Sequence, residues 1–335
     1  MVGRGAFAAG RPSPPINVTP FMKVTKMLFR TDPDWSGRCE PIAMELVDRF
    51  SEKGLRPDNF GFVALRENGA GQMPDGFAYR GDWRCYPCSL VKVFHLIHVL
   101  HAIDTGRVED HHELSRAMRD MILWSSNTGT NYVIDMLTGT TGDTMLSGAD
   151  FDDWRNRRDG LNRFFTTAGW PEFAPDFVQC NITQKLMDDI RYGREAQYAG
   201  PSGQNLNALT PIAAARIFFE IFAGDLPLSA AARRRAQNIL LRDRSSAEAE
   251  LPHFQVETYL GGGLPAGATL WSKAGKNSWT GDDMASYYKH DLIRIALPGH
   301  APVILCLMTR GKGICEDHPT VFPEIGKLFC DRLLG

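Results

Sequence analysis

Strand-like segments lie near both ends of this sequence, whereas its long middle section carries only helix-like patterns. A strand needs partners in a sheet, so the two ends of the chain are expected to meet. We therefore predict an α+β fold in which an antiparallel sheet built from both chain ends is flanked by helices and carries an all-helical insert. Short β-branched and aromatic runs bounded by turn residues predict strands at 60–65, 77–83, 270–273, 284–290, 292–297 and 303–309.

The middle section is predicted to be helical because its apolar residues recur at intervals of three and four. Thr210 and Pro211 form an N-cap followed by proline at the first helical position, and Gly106 and Gly139 are typical helix stops. Residues 138–160, rich in Gly, Thr, Asp and Ser, are predicted to form a loop. The predicted helices are 37–53, 89–105, 112–123, 130–137, 160–168, 210–222, 229–241 and 319–333, with a further short one near 183–191.

These patterns divide the chain into a lead-in and two domains. Residues 1–34, which begin with a Gly- and Pro-rich stretch, are predicted to be a flexible lead-in. Residues 35–88 and 262–335 are predicted to form the sheet domain, and residues 89–261 the helical domain.

Composition argues against several functional classes. The 335 residues carry a net charge of −2, without the basic excess of a nucleic-acid-binding protein. No run of about 18 apolar residues could cross a membrane, and no apolar run near the N-terminus resembles a signal peptide, so we expect a cytoplasmic protein with no membrane partner. Seven irregularly spaced cysteines argue against a disulfide framework. Cys85 and Cys88 have the spacing of a metal or redox half-site but lack a second pair, so no metal and no cofactor are expected, and the oligomeric state stays open.

The first candidate catalytic motif is Ser89-Leu90-Val91-Lys92, at the start of a strongly apolar helix. Residues three apart share one face of a helix, so the Lys92 amine is expected beside the Ser89 hydroxyl. The N-terminal end of a helix favours developing negative charge. Burial among apolar neighbours is expected to lower the pKa of Lys92 and make it a usable base.

Two further motifs follow in the chain. Ser125-Ser126-Asn127 lies between two predicted helices, where a hydroxyl and an amide can move a proton and bind a carbonyl. Lys273-Ala274-Gly275 lies at the end of a predicted strand, where a cation can hold an anionic group and the glycine lets substrate approach the backbone. Each motif alone is also compatible with ordinary helix caps and strand ends.

Together the three motifs resemble the S-x-x-K, S-D-N and K-T-G set of class A β-lactamases and penicillin-binding proteins, in the same order and placement. The resemblance covers about residues 35–333 and implies a β-lactamase/DD-peptidase-like fold. It implies that Ser89 is the nucleophile of an acyl-enzyme and Lys92 its general base. Ser125 would pass the proton to the leaving group, aided by Lys273.

The same resemblance implies a substrate-binding set around the nucleophile. The backbone N–H groups of Ser89 and Lys276 would form an oxyanion hole, and Asn127 would orient Lys92 or the substrate amide. Ala274 and Gly275 would lie along the substrate. Four aromatic residues are candidates for the pocket wall: Trp124, Trp271, Trp279 and Tyr287.

The sequence departs from the family pattern in ways that bear on the substrate. Ser126 stands where the family usually has Asp, and Ala274 where it has Thr or Ser. Glu172 and Glu195 are the only glutamates in the region of the family's omega loop, and neither has the expected neighbours; of the two, Glu195 is preferred as the water-activating residue. These departures favour an intracellular amidase, lactamase or esterase that acts on a small metabolite rather than on an antibiotic.

Other functions remain open at the level of sequence. A glutaminase-like amidohydrolase shares this fold and a Ser-x-x-Lys helix, and a sensor would be acylated at Ser89 without turnover. A metalloenzyme is a third alternative because histidines cluster on and after the apolar helix. These are His95, His98, His101, His111 and His112.

Overall fold

The sheet joins the two ends of the chain, as predicted. The computed structural model describes residues 27–174, 179–186 and 191–335. Its six strands are antiparallel and lie in the order β2-β1-β6-β5-β4-β3. They are β1 (Phe60–Arg66), β2 (Asp75–Tyr79), β3 (Leu241–Arg242), β4 (Thr269–Asn277), β5 (Tyr288–Ala296) and β6 (Val303–Arg310).

One strand replaces two of the predicted ones. The sequence predicts separate strands at 284–290 and 292–297 because His290 and Asp291 interrupt the apolar run. Instead β5 continues through both residues, which are buried and hydrogen-bonded: the Nε2 of His290 lies 2.8 Å from the Tyr86 carbonyl, and Asp291 accepts from the Leu260 N–H at 3.0 Å. Buried polar groups with such partners are tolerated inside a strand.

Alternation along β1 divides its side chains between two hydrophobic cores. Phe62 and Ala64 face the core that contains α1 and α10, whereas Val63 and Leu65 face the core that contains α2 and α8. None of the helices in the described part of the chain is long and apolar enough to cross a bilayer. The helices are α1 (Pro33–Phe50), α2 (Val91–Asp104), α3 (His112–Leu123), α4 (Asn127–Thr138), α5 (Gly148–Arg158), α6 (Gly160–Thr167), α7 (Gly193–Ala199), α8 (Pro211–Phe222), α9 (Ala230–Leu240) and α10 (Val321–Leu333).

The helix predictions hold where capping residues and apolar spacing agree. The Thr210 hydroxyl accepts from the Ala213 N–H at 3.2 Å and so caps α8, and Gly139 ends α4 in the left-handed conformation. The loop predicted at 138–160 is wrong, because α5 occupies its second half. That helix is polar on most sides, and only Trp154 and Arg158 are buried, so it lacks an apolar stripe.

A second correction concerns the region before α8. Of the short helix predicted near 183–191, residues 183–186 and 191 are not helical, and residues 187–190 lie outside the described part. The helix of this region is α7, seven residues long, which starts two residues later.

The predicted division into domains remains a prediction, and two features bear on it. Of the predicted lead-in, residues 27–34 are described: Leu28 is buried and the Arg30 guanidinium lies 2.6 Å from the Asp75 carboxylate, whereas most of the others are exposed. Within the predicted helical domain, α8 packs on β1 and β6, and β3 joins the sheet edge beside β4.

Candidate active site

Ser89 lies in a tight turn at the edge of the hydrophobic core, where the residue is partly exposed. The turn is a short 3-10 segment, Cys88–Leu90, that leads directly into α2. Cys88 has φ +48°, in the left-handed region that residues with a Cβ rarely adopt. Both neighbours of Ser89 are buried, whereas Ser89 itself is partly exposed. Backbone strain of this kind is concentrated at functional positions.

Gly275 lets β4 approach this turn at backbone contact distance. A Cβ built on Gly275 would lie 2.8 Å from the Ser89 nitrogen and 2.9 Å from the Cys88 Cβ. From the sequence, this glycine is expected to let substrate approach the strand backbone. In the structure the group that approaches is the turn that carries Ser89, so the glycine lets this turn pack against β4.

Lys92 is fully buried and points at the second motif. Its Nζ donates to the Asn127 Oδ1 at 2.8 Å and to the Ser125 carbonyl, and it lies 3.3 Å from the Ser125 Oγ. Ser125 has φ +56°, so the backbone is also strained where it turns its carbonyl and hydroxyl toward the lysine. The tripeptide between α3 and α4 therefore does more than cap a helix, although Ser126 does cap α4 by accepting from the Gly129 N–H at 2.9 Å.

Lys273 reaches the same hydroxyl from the opposite side. Its Nζ donates to the Ser125 Oγ at 3.0 Å, to the Gln255 Oε1 at 3.1 Å and to the Ala274 carbonyl at 2.5 Å. The Ser125 Oγ thus lies between two lysine amines. Burial, and then the positive charge of Lys92, hold the pKa of Lys273 well below its usual value.

Arg242 is a second buried cation behind Lys273, and it ties the strand to the end of α3. It donates to the Ser272 hydroxyl and carbonyl, both at 3.1 Å, and to the Ile122 carbonyl at 3.0 Å. Burial lowers the pKa of Arg242 to about 10. Arg242 therefore fixes the end of α3, which precedes Ser125, relative to β4, which carries Lys273.

A cavity of about 220 Å³ opens beside Ser89. Ser89, Asn127 and Lys276 lie on its wall, so three of the predicted site residues share one cavity. No aspartate or glutamate lies on this wall within the described ranges. The roles of the Ser89 and Lys276 N–H groups as oxyanion donors stay a prediction. The remaining lining includes Tyr86, Leu186, Arg191, Asn277, Trp279 and Thr280.

Glu195 does not line the cavity, which corrects its predicted place in the substrate site. It is fully buried and forms an ion pair with Arg158, and it also accepts from the Lys185 N–H at 3.2 Å. Glu172 is likewise buried, in an ion pair of 2.8 Å with Arg216. Both glutamates hold the chain in place.

Ala274 is also misplaced in the prediction. Its side chain is fully buried in the core of α1 and α10, so only its backbone, through the carbonyl that accepts from Lys273, belongs to the site. Successive side chains point to opposite faces of a strand. Because the Lys273 side chain faces the site, the Ala274 side chain faces away from it.

The four candidate aromatic residues differ in whether they lie near the cavity. Trp279 lines the cavity and is 55% exposed, and the Tyr287 ring lies 6.2 Å from it. Trp271 packs instead against Phe222, the Trp124 ring lies under Arg119, and neither residue is on the described cavity wall.

The histidines and cysteines do not form a metal or redox centre among the described residues. There, no group of three or more His, Cys, Asp or Glu side chains is close enough to share an ion. His95 and His98 are buried in α2, and burial lowers the pKa of each to about 3. Cys85 and Cys88 are free thiols, and burial raises the pKa of both.

Four site residues escape the sequence patterns. Gln255 and Arg242 contact Lys273 and its strand, and Tyr86 and Arg191 line the cavity. Tyr86 lies three residues before Ser89, so its proximity was a usable signal. The other three reach the site only through tertiary packing.

Comparison with solved structures identifies the fold. A variant of the last common ancestor of class A β-lactamases of Gram-negative bacteria has a TM-score of 0.60 at 19% identity, over 88% of this chain and 98% of that chain. A class A β-lactamase from Mycobacterium abscessus has a TM-score of 0.58 at 16% identity, over 88% and 100%. No protein-family profile and no curated protein matches the sequence. The fold is therefore that of class A β-lactamases, as the motifs predicted.

Proposed function

We propose that this protein is a serine hydrolase that forms an acyl-enzyme at Ser89 on a small amide, lactam or ester. The observation that carries the proposal is the position of the Ser125 hydroxyl, 3.0 Å from the Nζ of Lys273 and 3.3 Å from the Nζ of Lys92. A hydroxyl held between two buried amines, beside a strained turn that exposes a second hydroxyl, is suited to proton transfer during acyl transfer.

We propose a proton path that uses the contacts of Lys92 and Lys273 with Ser125. Lys92 takes the Ser89 proton as the Oγ attacks the substrate carbonyl carbon, and the resulting oxyanion accepts hydrogen bonds from the Ser89 and Lys276 N–H groups. When the carbon–nitrogen or carbon–oxygen bond breaks, the leaving group takes the Ser125 proton. Lys92 then returns its proton to Ser125, and Lys273 stabilises the charge on that hydroxyl during the transfer.

We further propose that the substrate is a small cytoplasmic metabolite rather than an antibiotic. The support is the departure of the second and third motifs from the family pattern, at Ser126 and Ala274. Fractionation of the source cells tests the location, and a panel of amides, lactams and esters tests the substrate. Glutamine belongs in that panel, since a glutaminase-like reaction would release ammonia.

Covalent labelling tests the nucleophile. We expect one molecule of a fluorophosphonate or penicillin probe to bind covalently to each wild-type protein molecule. Intact mass measures the adduct, and peptide analysis should map it to Ser89. Ser89→Ala should abolish both labelling and turnover, since it removes the attacking oxygen. Ser115→Ala is the matched control, because Ser115 lies on α3 and hydrogen-bonds Asp110 and Arg235 away from the cavity. Turnover retained by Ser89→Ala would overturn the mechanism.

A sensor that is acylated without release is the second candidate. The observation that favours it is that Glu172 and Glu195, the two candidates for activating a deacylating water, are held in buried ion pairs with Arg216 and Arg158. Pre-steady-state kinetics distinguish the two functions. A burst of one equivalent followed by no turnover, with a stable adduct on Ser89, favours the sensor, whereas repeated turnover favours the hydrolase.

A further inference from the structure

Arg191 is a nearly buried cation on the wall of the cavity that Ser89 lines. Its side chain is 10% exposed and lies just before α7. The guanidinium packs over the Tyr86 ring at 5.7 Å, and its Nη2 donates to the Tyr86 hydroxyl at 3.3 Å. These contacts hold the charged group in one place without neutralising it, because burial raises the pKa of Tyr86 to about 12 and keeps its hydroxyl protonated.

Among the described residues, part of the hydrogen-bonding capacity of Arg191 is unused, since its buried Nε has no hydrogen-bond partner there. Its ion pair with Asp282 spans 4.0 Å, beyond hydrogen-bond length, and Asp282 is one-third exposed. A buried guanidinium with an unused N–H is costly unless something binds it, which points to an anion that arrives with the substrate.

The position of this charge identifies the part of the substrate that carries the anion. The leaving group must collect its proton from Ser125, which does not line this cavity. The cavity extends instead from Ser89 and Asn127 along the end of β4, where Lys276 adds a second positive charge. A group bound there belongs to the acyl portion, which stays attached to Ser89 after the leaving group departs.

We infer that Arg191 is a specificity-determining residue that binds a carboxylate on the acyl portion of the substrate. This inference rests on the proposed acylation of Ser89. Arg191 offers a planar donor fork that matches a carboxylate, and its Tyr86 contact fixes the orientation of that fork. The preferred substrates are therefore acyl donors with a negative charge at the far end of the acyl chain.

Two matched esters test the inference by kinetics. The probes are the mono-4-nitrophenyl ester of adipate, which ends in a carboxylate, and the same ester with that carboxylate methylated. We expect wild-type kcat/KM to favour the charged ester by roughly 100-fold, as two charge-assisted hydrogen bonds would supply. Arg191→Met should bring the ratio of kcat/KM for the two esters close to one, and Arg191→Lys should restore part of the preference. Arg119→Met, on the outer face of α3, is the control and should retain the preference.

A binding measurement keeps the test independent of acylation. In the Ser89→Ala background, calorimetry should show adipate monoamide bound roughly 100-fold more tightly than its methyl ester, and Arg191→Met should abolish the difference. If neither ester acylates Ser89 but this affinity difference is found, the proposed reaction fails while the anion site stands. Equal affinities for the two compounds, or a charge preference that survives Arg191→Met, would overturn the inference.

Discussion

Breaking the buried ion pair between Arg158 and Glu195 tests how the cavity wall is held. Neither side chain has exposed surface. Arg158 donates to both Glu195 oxygens, to the Thr140 hydroxyl at 2.6 Å and to the Thr183 carbonyl at 2.9 Å. Glu195→Gln removes the negative charge and leaves the guanidinium buried without it. Removing one partner of a buried pair costs about 3–5 kcal/mol, so we expect the free energy of unfolding to fall by that amount.

Denaturation in urea measures the change, and a second variant separates charge from packing. Arg158→Met combined with Glu195→Leu removes both charges and keeps most of the volume, so its stability should return to within about 2 kcal/mol of wild type. Glu113→Gln is the control. Glu113 pairs with Arg116 on the surface of α3, where an ion pair contributes little, and no measurable change is expected.

The same variants should alter the wall of the site. Leu186 and Arg191 belong to the segment that the ion pair anchors, since Glu195 also accepts from the Lys185 N–H. Hydrogen exchange of residues 183–186 and 191–199 should accelerate in Glu195→Gln more than exchange in β5. The reasoning is refuted if Glu195→Gln unfolds within 1 kcal/mol of wild type, or if the double variant is as unstable as the single one.

Two further changes have expected outcomes. Gly275→Ala should slow the proposed acylation of Ser89 about 100-fold, because its Cβ would lie 2.8 Å from the Ser89 nitrogen and displace that residue. Gly37→Ala, with open space around it, is the control, and equal acylation rates for the two variants would contradict the close approach. Burial raises the pKa of Asp291 from 3.8 to about 7, so the folded state binds more protons than the unfolded state between these values. The protonated Asp291 carboxyl therefore contributes up to about 4 kcal/mol to the stability of the folded state. This contribution is complete below pH 4 and is lost as the pH rises through 7. The free energy of unfolding of wild type minus that of Asp291→Asn, measured by denaturation, should fall by about 3 kcal/mol between pH 5 and pH 8, because the buried histidines change the stability of both proteins equally. A difference that stays the same at the two pH values would count against this effect.

The sequence predicts those parts of the fold whose local signals agree. Thr210 and Pro211 mark the start of α8, and a continuous apolar run marks α2, because caps and spacing are read from neighbouring residues. The helix α5 is missed because its stability comes from Trp154 and Arg158 packing against distant parts of the chain. A polar helix without an apolar stripe resembles a loop when its tertiary partners are unknown.

The residues of the candidate site also differ in whether neighbouring residues in the sequence reveal them. The predictions for Ser89 and Lys92 come from local spacing, because one helical turn separates the two residues. Arg242 and Gln255 are missed, since only the folded sheet brings them to Lys273. The preference for Glu195 rests on a family pattern with no local support, and the carboxylate is used within an ion pair instead.

Because β1 pairs with β6, the sheet can be completed only late in translation. Phe60 pairs with Thr309, so the hairpin of β1 and β2 emerges early and keeps an open inner edge until nearly the whole polypeptide has been translated. The helical middle can compact during that time. The Ser89 turn packs on β4 and β5, which connect to β1 in the sheet only through β6, so a nascent chain stalled before Val303 cannot complete the sheet on which this turn rests.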